Sequence, residues 1–407
     1  MKKIKVGVIG VGRGQSFMKG AAHAGMELVA ICDKWVEQLK KVGKTYKVAT
    51  YTDYDKFLTH DMDAVVLANY CHDHAPFAVK ALNAGLHVMS ECIAARTMKQ
   101  CVELVEAVEK TGRIYMLAEN YPYMLGCQEI RRIYRTGEIG EVRYAEGEYN
   151  HPGEENWRLS ISPGLKHWRN WLPPTYYVTH ALAPLMYMTD TMPVSVNALS
   201  ITEDRTQSPN TVKISDVGSV ILCRMDNGSV FRIWGLMMSS IHRVRYEVHG
   251  DMGMASTVHG EVTVHHEPWL RKNGVPTDRT YRPDWPEFAD LANKAGHGGG
   301  DFWTNFYFAN AIRSRHQPYL DVYKATAMAA VSILGWKSCL NNGTNITIPD
   351  FKKKQERERF RNDDWSPFPE DAKEGQPPVS LKGNINPSPK AIAHARKIWR
   401  LHGYKGI

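Results

Sequence analysis

No two cysteines in this chain have CxxC spacing. The seven, at positions 32, 71, 92, 101, 127, 223 and 339, are scattered and odd in number, which excludes a disulfide framework and a cysteine zinc site. A reducing, cytoplasmic location is the expectation. No apolar run reaches the about 20 residues that cross a bilayer, and the opening MKKIKVGVIG enters a strand without the small-residue cleavage site of a signal peptide. Neither membrane insertion nor export is expected. The net charge of +8 is a mild excess, part of it in KKK and RERFR between residues 352 and 361. With no basic stripe interleaved with aromatics, it reads as solvated surface, and no nucleic-acid partner is expected. No internal repeat is present.

What the chain does have is core material: 407 residues, 43% hydrophobic and 23% charged, enough for two or three domains. Residues 3–9 alternate into an apolar run that stops at Gly10-Val11-Gly12-Arg13-Gly14, before a helix over about 15–24. A strand, a glycine turn and a helix open a dinucleotide-binding βαβ unit. There the backbone turns tightly and offers its N–H groups to a pyrophosphate. Gln15 holds the third position of G-x-G-x-x-G, and Gly14 comes one place early. A second strand over 27–32 ends in Asp33, where a carboxylate can accept both adenosine ribose hydroxyls and would repel a 2′-phosphate. NAD is therefore the expected cofactor. Further strands at 63–68, 87–90 and 114–118 alternate with helices at 75–84 and 97–111, predicting a doubly wound parallel sheet. Its ligand crevice lies at the carboxyl ends of the strands, where Asn69, His72, His74, Glu91 and Asn120 stand. These join Gly10, Gly12, Arg13, Gly14 and Asp33 as cofactor-side candidates. Two histidines without a third ligand fit a loop beside a nucleotide, so no metal site is expected.

After about residue 122 the pattern changes. A helix over Leu125 to Tyr134 is followed by alternating segments at 142–149, 192–202, 217–224, 229–238, 243–249 and 255–265, which predict an antiparallel sheet. The segment 266–300 reads as loop, ending in a glycine run before Asp301 that can close over a site. Helices are expected at 302–314 and 322–340. The fold class is therefore α/β: a Rossmann domain over 1–122 and an α+β domain over 123–350 with a large, open, mostly antiparallel sheet. Residues 351–407 read as a charged, proline-rich arm ending in a helix over 388–402. Within the second domain, the stretch HWRNWLPPTYYVTHALAP places Tyr177 and His180 three residues apart at a helix opening, on one face. A phenol beside an imidazole can move a proton to or from a hydroxyl. The same pair can also simply satisfy itself in a core.

The segments GVGRG, AICD and DAVVLANYCHDHAPFAVKALNAGLHVMSE, followed by the switch to a larger sheet, resemble the Gfo/Idh/MocA oxidoreductases over residues 1 to about 350. That family commonly carries Glu-Lys-Pro after the fifth strand and an Asp-x-x-x-His box. Here Glu91-Cys92-Ile93 replaces the first, and Tyr176 stands four residues before His180 in the second. The motifs Ala118-Glu119-Asn120, Glu148-Tyr149-Asn150-His151, His167-Trp168-Arg169, Tyr177 to Pro184, Gly296-His297-Gly298-Gly299, Asp321-Val322-Tyr323 and Ile348-Pro349-Asp350-Phe351 occur in order. In this they are similar to the family's NAD-dependent glycosidase branch, which includes α-N-acetylgalactosaminidases and glycoside hydrolase family 109. The resemblance implies a hydrolase that uses NAD without net consumption. It implies active-site positions at Glu119, Tyr149, Tyr177 and His180, with Trp168 and Arg169 on the substrate side.

The chemistry so implied is oxidation at sugar C3 with Tyr177 or His180 as base, removal of the acidified C2 hydrogen with Tyr149 as candidate, loss of the C1 substituent, water addition and re-reduction. Two alternatives stand beside it: a plain NAD-linked sugar or cyclitol dehydrogenase, and a non-catalytic nucleotide-sensing protein. The partner expected is a small carbohydrate. A homo-oligomer, dimer or tetramer, is expected because an open sheet leaves one face to cover.

Overall fold

The computed structural model describes residues 3–203, 211–236, 242–270, 277–371 and 374–404. The first six strands are β1 (Ile4–Ile9), β2 (Met26–Cys32), β3 (Ala49–Tyr51), β4 (Ala64–Leu67), β5 (His87–Ser90) and β6 (Tyr115–Leu117). They form one parallel sheet in the order β3-β2-β1-β4-β5-β6. All four residues of β4 are buried, as expected where helices cover both faces. The strand order reverses between β1 and β4, so the crevice opens at their carboxyl ends. The strand not foreseen is β3, a three-residue edge strand on β2, too short to show a periodicity.

Nine further strands are β7 (Val142–Asn150), β8 (Pro193–Ile201), β9 (Gly218–Met225), β10 (Val230–Leu236), β11 (Arg243–Gly250), β12 (Gly253–Val258), β13 (Glu261–His266), β14 (Asp278–Tyr281) and β15 (Ile346–Thr347). They make a second sheet in the order β14-β13-β12-β11-β7-β10-β9-β8-β15. Every pairing is antiparallel except β10 with β7, so the sheet is mixed. The expected strand 255–265 is a hairpin, because His259 and Gly260 both take positive φ (51° and 81°) and so form the tight turn that joins two twisted strands. β14 lies inside the segment expected to be loop. The end of the expected strand 229–238, residues 271–276 of the expected loop and residues 372–373 and 405–407 of the expected arm lie outside the described residues.

Two local features set the helix Thr179–Thr189 against the second sheet. It crosses β7 at Gly147, where a Cβ would come within 2.1 Å of the Ala181 carbonyl oxygen, so only glycine permits this approach. Pro184, four residues after His180, has no N–H to close the helical hydrogen bond to the His180 carbonyl. The fully buried Tyr246 on β11 supplies the missing donor, its hydroxyl lying 2.5 Å from that carbonyl oxygen. The opening turn of the helix is thereby pinned to the sheet.

Beyond residue 350 the chain runs back over the first sheet's helix Met98–Thr111. Buried Arg357 pairs with Glu109 (2.7 Å) and donates to the Phe351 carbonyl (2.9 Å), while Arg361 pairs with Glu106. Phe368 then packs between Trp171 and Tyr176, with ring centroids at 4.8 and 5.0 Å. No described helix is long and apolar enough to cross a membrane.

Tyr246→Phe removes the donor that, among the described residues, replaces the Pro184 N–H at the His180 carbonyl. A loss of about 1–3 kcal/mol is expected, read as a lower urea midpoint, whereas an unchanged midpoint would show that the Tyr246 bond does not hold the helix.

Candidate active site

The cleft between the sheets has a volume of about 1410 Å³, above the about 300–1,000 Å³ of a typical single-ligand site. Its floor is the glycine turn. Gly10 has φ +93°, and a Cβ there would meet the Ala68 carbonyl oxygen at 2.2 Å, whereas in front of Gly12 nothing lies within 4 Å. Gly14 begins the helix Gly14–Ala21 and packs against Val8, so it serves the strand–helix contact and does not line the cleft. The Asp33 carboxylate accepts the Val11 N–H and the Trp35 N–H, both at 2.8 Å, and so fixes the turn while standing on the cleft wall.

At the end of β4, the side-chain amide nitrogen and oxygen of Asn69 are both buried in the cleft wall without a hydrogen-bond partner. The His74 ring bridges the Ile93 carbonyl (2.9 Å) and the Asn69 carbonyl (3.2 Å). Burial lowers its pKa, which favours the neutral ring, and a neutral ring has a single N–H to donate to one of these two carbonyls. His72 does not face the cleft: its ring packs 5.4 Å from Trp171 and 6.4 Å from Phe368. The turn Cys71–Asp73 directs alternate side chains to opposite sides, which the sequence spacing alone did not reveal. Among the described residues, no group of three or more His, Cys, Asp or Glu gathers to hold a metal.

Asp301, absent from the sequence-based candidates, ties four of the cleft's segments together. Its carboxylate accepts from Arg13 (3.0 Å), from the Asn120 amide (2.8 Å) and from His297 Nδ1 (3.0 Å), and Arg13 also pairs with Glu91 at 2.6 Å. Burial opposes the charge on Asp301, but hydrogen bonds from His297 and Arg13 outweigh it and hold its pKa well below the aspartate range. The glycine run before it is close-packed. A Cβ on Gly300 would meet the Asn120 carbonyl at 2.4 Å, and one on Gly299 would meet Trp285 at 2.5 Å. Both glycines permit close contact in the run that the sequence reads as able to close over a site.

Farther along the cleft, His180 Nδ1 lies 2.7 Å from Oε1 of Glu119, which is fully buried. Glu119 also accepts the Cys92 thiol (3.1 Å) and the Tyr121 N–H (3.3 Å). Burial raises the Glu119 pKa, yet His180, Cys92 and Thr179 together bring it below the usual glutamate value. An ionised Glu119 accepts the Nδ1–H of His180 and so fixes which ring nitrogen faces the carboxylate. Around His180 stand three phenols. Tyr177 is 5.0 Å away with its ring perpendicular, Tyr149 is 4.7 Å away, and Tyr121 is 4.5 Å away. Burial pushes all three phenols above their ordinary pKa, while the nearby Arg169 cation partly offsets this at Tyr177 and Tyr149. Arg169 lies 4.3 Å over the Trp168 ring on the same wall.

Of the candidates read from sequence, Gly10, Gly12, Arg13, Asp33, Asn69, His74, Glu91, Asn120, Tyr149, Trp168, Arg169, Tyr177 and His180 line one cleft. Glu119 stands behind His180, and Gly14 and His72 face elsewhere. Tyr121 was missed although it directly follows Asn120, because nothing in its spacing distinguishes it from core. Tyr176 is fully buried against Phe368 and donates to the Arg96 carbonyl (3.3 Å), so the residue four before His180 takes no place in the cleft. An open cradle at Gly12, an acid holding the turn and an unsatisfied amide at Asn69 suit a dinucleotide.

The family description "Oxidoreductase family, NAD-binding Rossmann fold" matches residues 4–119, "GFO/IDH/MocA C-terminal domain" matches 127–256, and "Glycosyl hydrolase 109, C-terminal domain" matches 197–357. The chain is 26% identical over 397 residues to glycosyl hydrolase family 109 protein 1 of Shewanella sp. (strain ANA-3), covering 87% of this chain and 86% of that one. It is 26% identical over 416 residues to an alpha-N-acetylgalactosaminidase of Shewanella oneidensis, with the same coverage of 87% and 86%. Among solved structures, levoglucosan dehydrogenase in complex with NADH and levoglucosan superposes with a TM-score of 0.74 at 19% identity, covering 86% of this chain and all of that one. With a six-stranded parallel sheet, a nine-stranded mixed sheet and these matches along its length, the chain belongs to the Gfo/Idh/MocA oxidoreductase family.

Proposed function

We propose that the protein is an NAD-dependent glycoside hydrolase that oxidises sugar C3 transiently, eliminates across C1–C2, adds water and re-reduces C3. The observation that carries this reading is the Glu119–His180 pair set among three phenols in the cleft that begins at the glycine turn. Gly12, Asp33 and Asn69 would hold NAD, and the Asp33 carboxylate disfavours the 2′-phosphate of NADP. When bound, NAD supplies an acceptor and later a donor for the electron pair at C3.

The chain's own residues then handle protons. His180 Nε2 takes the C3 hydroxyl proton, and the buried Glu119 carboxylate stabilises the imidazolium that results. Tyr177, protonated at neutral pH, donates to the C3 oxygen and orients it. Tyr149 is the candidate base at C2, with Tyr121 as its hydrogen-bond partner and Arg169 as the cation that favours its ionised form. A displacement at C1 by a carboxylate is poorly supported, since Glu119 is enclosed behind His180 and Glu91 is bound by Arg13. Cys92, standing where the family commonly has a lysine, is a neutral thiol donating to Glu119. No cation replaces the lysine at that position, which weighs against a plain sugar dehydrogenase.

The outward face of the second sheet exposes Leu199 on β8 and Leu222 on β9, at 61% and 43%. This supports a homo-oligomeric interface there, and light scattering at micromolar concentration is expected to give more than a monomer's mass.

Hydrolysis of an aryl glycoside in heavy water is expected to place deuterium at C2 without net NADH. Retention of the C2 hydrogen during aglycone release would refute the redox route, and accumulating NADH would indicate the dehydrogenase. His180→Ala is expected to lower turnover by about 10²–10⁴-fold, whereas Tyr149→Phe is expected to leave reduction of NAD detectable and slow aglycone release.

Burial also imposes a pH dependence. A phenol whose pKa is raised is a base only in its scarce ionised form, which grows with pH. Exchange at C2 is therefore expected to keep rising with pH through and beyond the ordinary phenol range; a plateau near neutrality would exclude Tyr149 as the base.

A further inference from the structure

The helix Pro389–Leu401 buries Ala391, Ala395, Ile398 and Trp399 against Leu159 and Val212, apart from the main core. The Trp399 indole N–H donates to the Leu159 carbonyl at 3.0 Å, in a buried bond. Leu159 belongs to the short helix Glu155–Ser160, whose residues line the cleft, so the last helix sits on the cleft's rim. It ends in a left-handed turn. Gly403 takes φ +83°, and the Tyr404 N–H returns to the Trp399 carbonyl at 3.0 Å. This reversal carries the Tyr404 ring across to Trp35, with centroids 5.1 Å apart and planes at 34°.

Trp35 follows Asp33 by two residues, and its N–H donates to the Asp33 carboxylate. An acid at the end of the second strand marks the adenosine ribose in a dinucleotide-binding unit. Trp35 therefore borders the adenosine end, and both Trp35 and Tyr404 line the cleft. The indole remains 37% exposed even with Tyr404 against it. Rings in direct contact leave no room for a purine between them, so the pair does not sandwich the base. It joins two parts of the cleft lining: Trp35 comes from the parallel-sheet region and Tyr404 from the turn after the last helix.

We propose that Trp35 and Tyr404 form a gate over the adenosine end of the dinucleotide site, and that NAD(H) leaves only when the two rings part. The proposal rests on the NAD-binding reading of the cleft and is independent of the glycosidase reaction. A single aromatic pair is weak enough to open repeatedly and strong enough to slow exit about tenfold. A gate of this kind slows exchange of the bound cofactor with solvent.

The test uses the full-length protein loaded with NADH and mixed rapidly with excess ADP-ribose, with release followed by nicotinamide fluorescence. Tyr404→Ala is expected to speed release about tenfold. Tyr404→Phe is expected to release NADH at the unchanged rate, since the ring alone makes the contact. Trp35→Ala should match Tyr404→Ala, and the double variant should add nothing further. Nicotinamide mononucleotide, which lacks the adenosine, should bind the Tyr404→Ala variant as it binds the parent. Equal NADH release from parent and Tyr404→Ala would overturn the gate while leaving the cofactor site standing. Equal weakening of nicotinamide mononucleotide would reveal general loosening and overturn it as well. Failure of the parent protein to bind NADH would instead overturn the cofactor reading, and the gate with it.

Discussion

A buried carboxylate, Asp301, holds the cleft in register. It lies at the start of the helix Gly300–Ser314 and reaches Arg13 beside the glycine turn, Asn120 after β6 and His297 in its own loop. Through Arg13 it is joined to Glu91 after β5. Desolvating such a cluster is costly, and the attraction offsets that cost only because every oxygen finds a donor. Removing one partner would leave a charge buried and uncompensated, so the arrangement specifies one geometry far more strongly than it stabilises the fold. The cofactor-side segments are thus tied to one another through a single carboxylate.

The reacting end is built on the same logic at a second carboxylate. Glu119 is enclosed, ionised and shared among His180, Cys92 and the Tyr121 backbone. It sets the tautomer of His180, while Pro184 and Tyr246 set the position of the backbone that carries the ring. The phenols of Tyr121, Tyr149 and Tyr177 remain protonated in this setting. An imidazole held by a buried carboxylate among three phenols supports the proposed proton transfers at an alcohol, with Tyr149, whose raised pKa Arg169 partly offsets, as the proposed base at C2.

The chain beyond residue 350 encloses this machinery from outside. Arg357 and Arg361 clamp it to the helix Met98–Thr111, Phe368 fills the space between Trp171 and Tyr176, and the last helix seals the rim at Leu159. Charge and proline content suggested an extended arm there. The arginines that make the segment look solvated are the residues that dock it, because their partners Glu106 and Glu109 lie on a helix more than two hundred residues earlier.

The sequence by itself determined the features that depend on local periodicity and backbone geometry. Apolar runs ending in polar residues marked β1, β2, β4, β5 and β6, the glycine turn marked the cofactor end, and the three-residue spacing singled out Tyr177 and His180, whose rings meet although Tyr177 ends the turn Pro174–Tyr177 and the helix begins at Thr179. Short edge strands such as β3 and β14 escaped because three or four residues carry too little pattern, and the β12–β13 hairpin escaped because its turn is made by two residues at positive φ. Only the tertiary structure decided that Asp301 is a hub, that His72 and Tyr176 turn away from the cleft, that Tyr121 joins it and that Tyr404 reaches Trp35. Each of these depends on a partner distant in sequence. Local pattern fixes which way an element's face points, but the identity of what it meets follows from how the two sheets and the returning chain pack together.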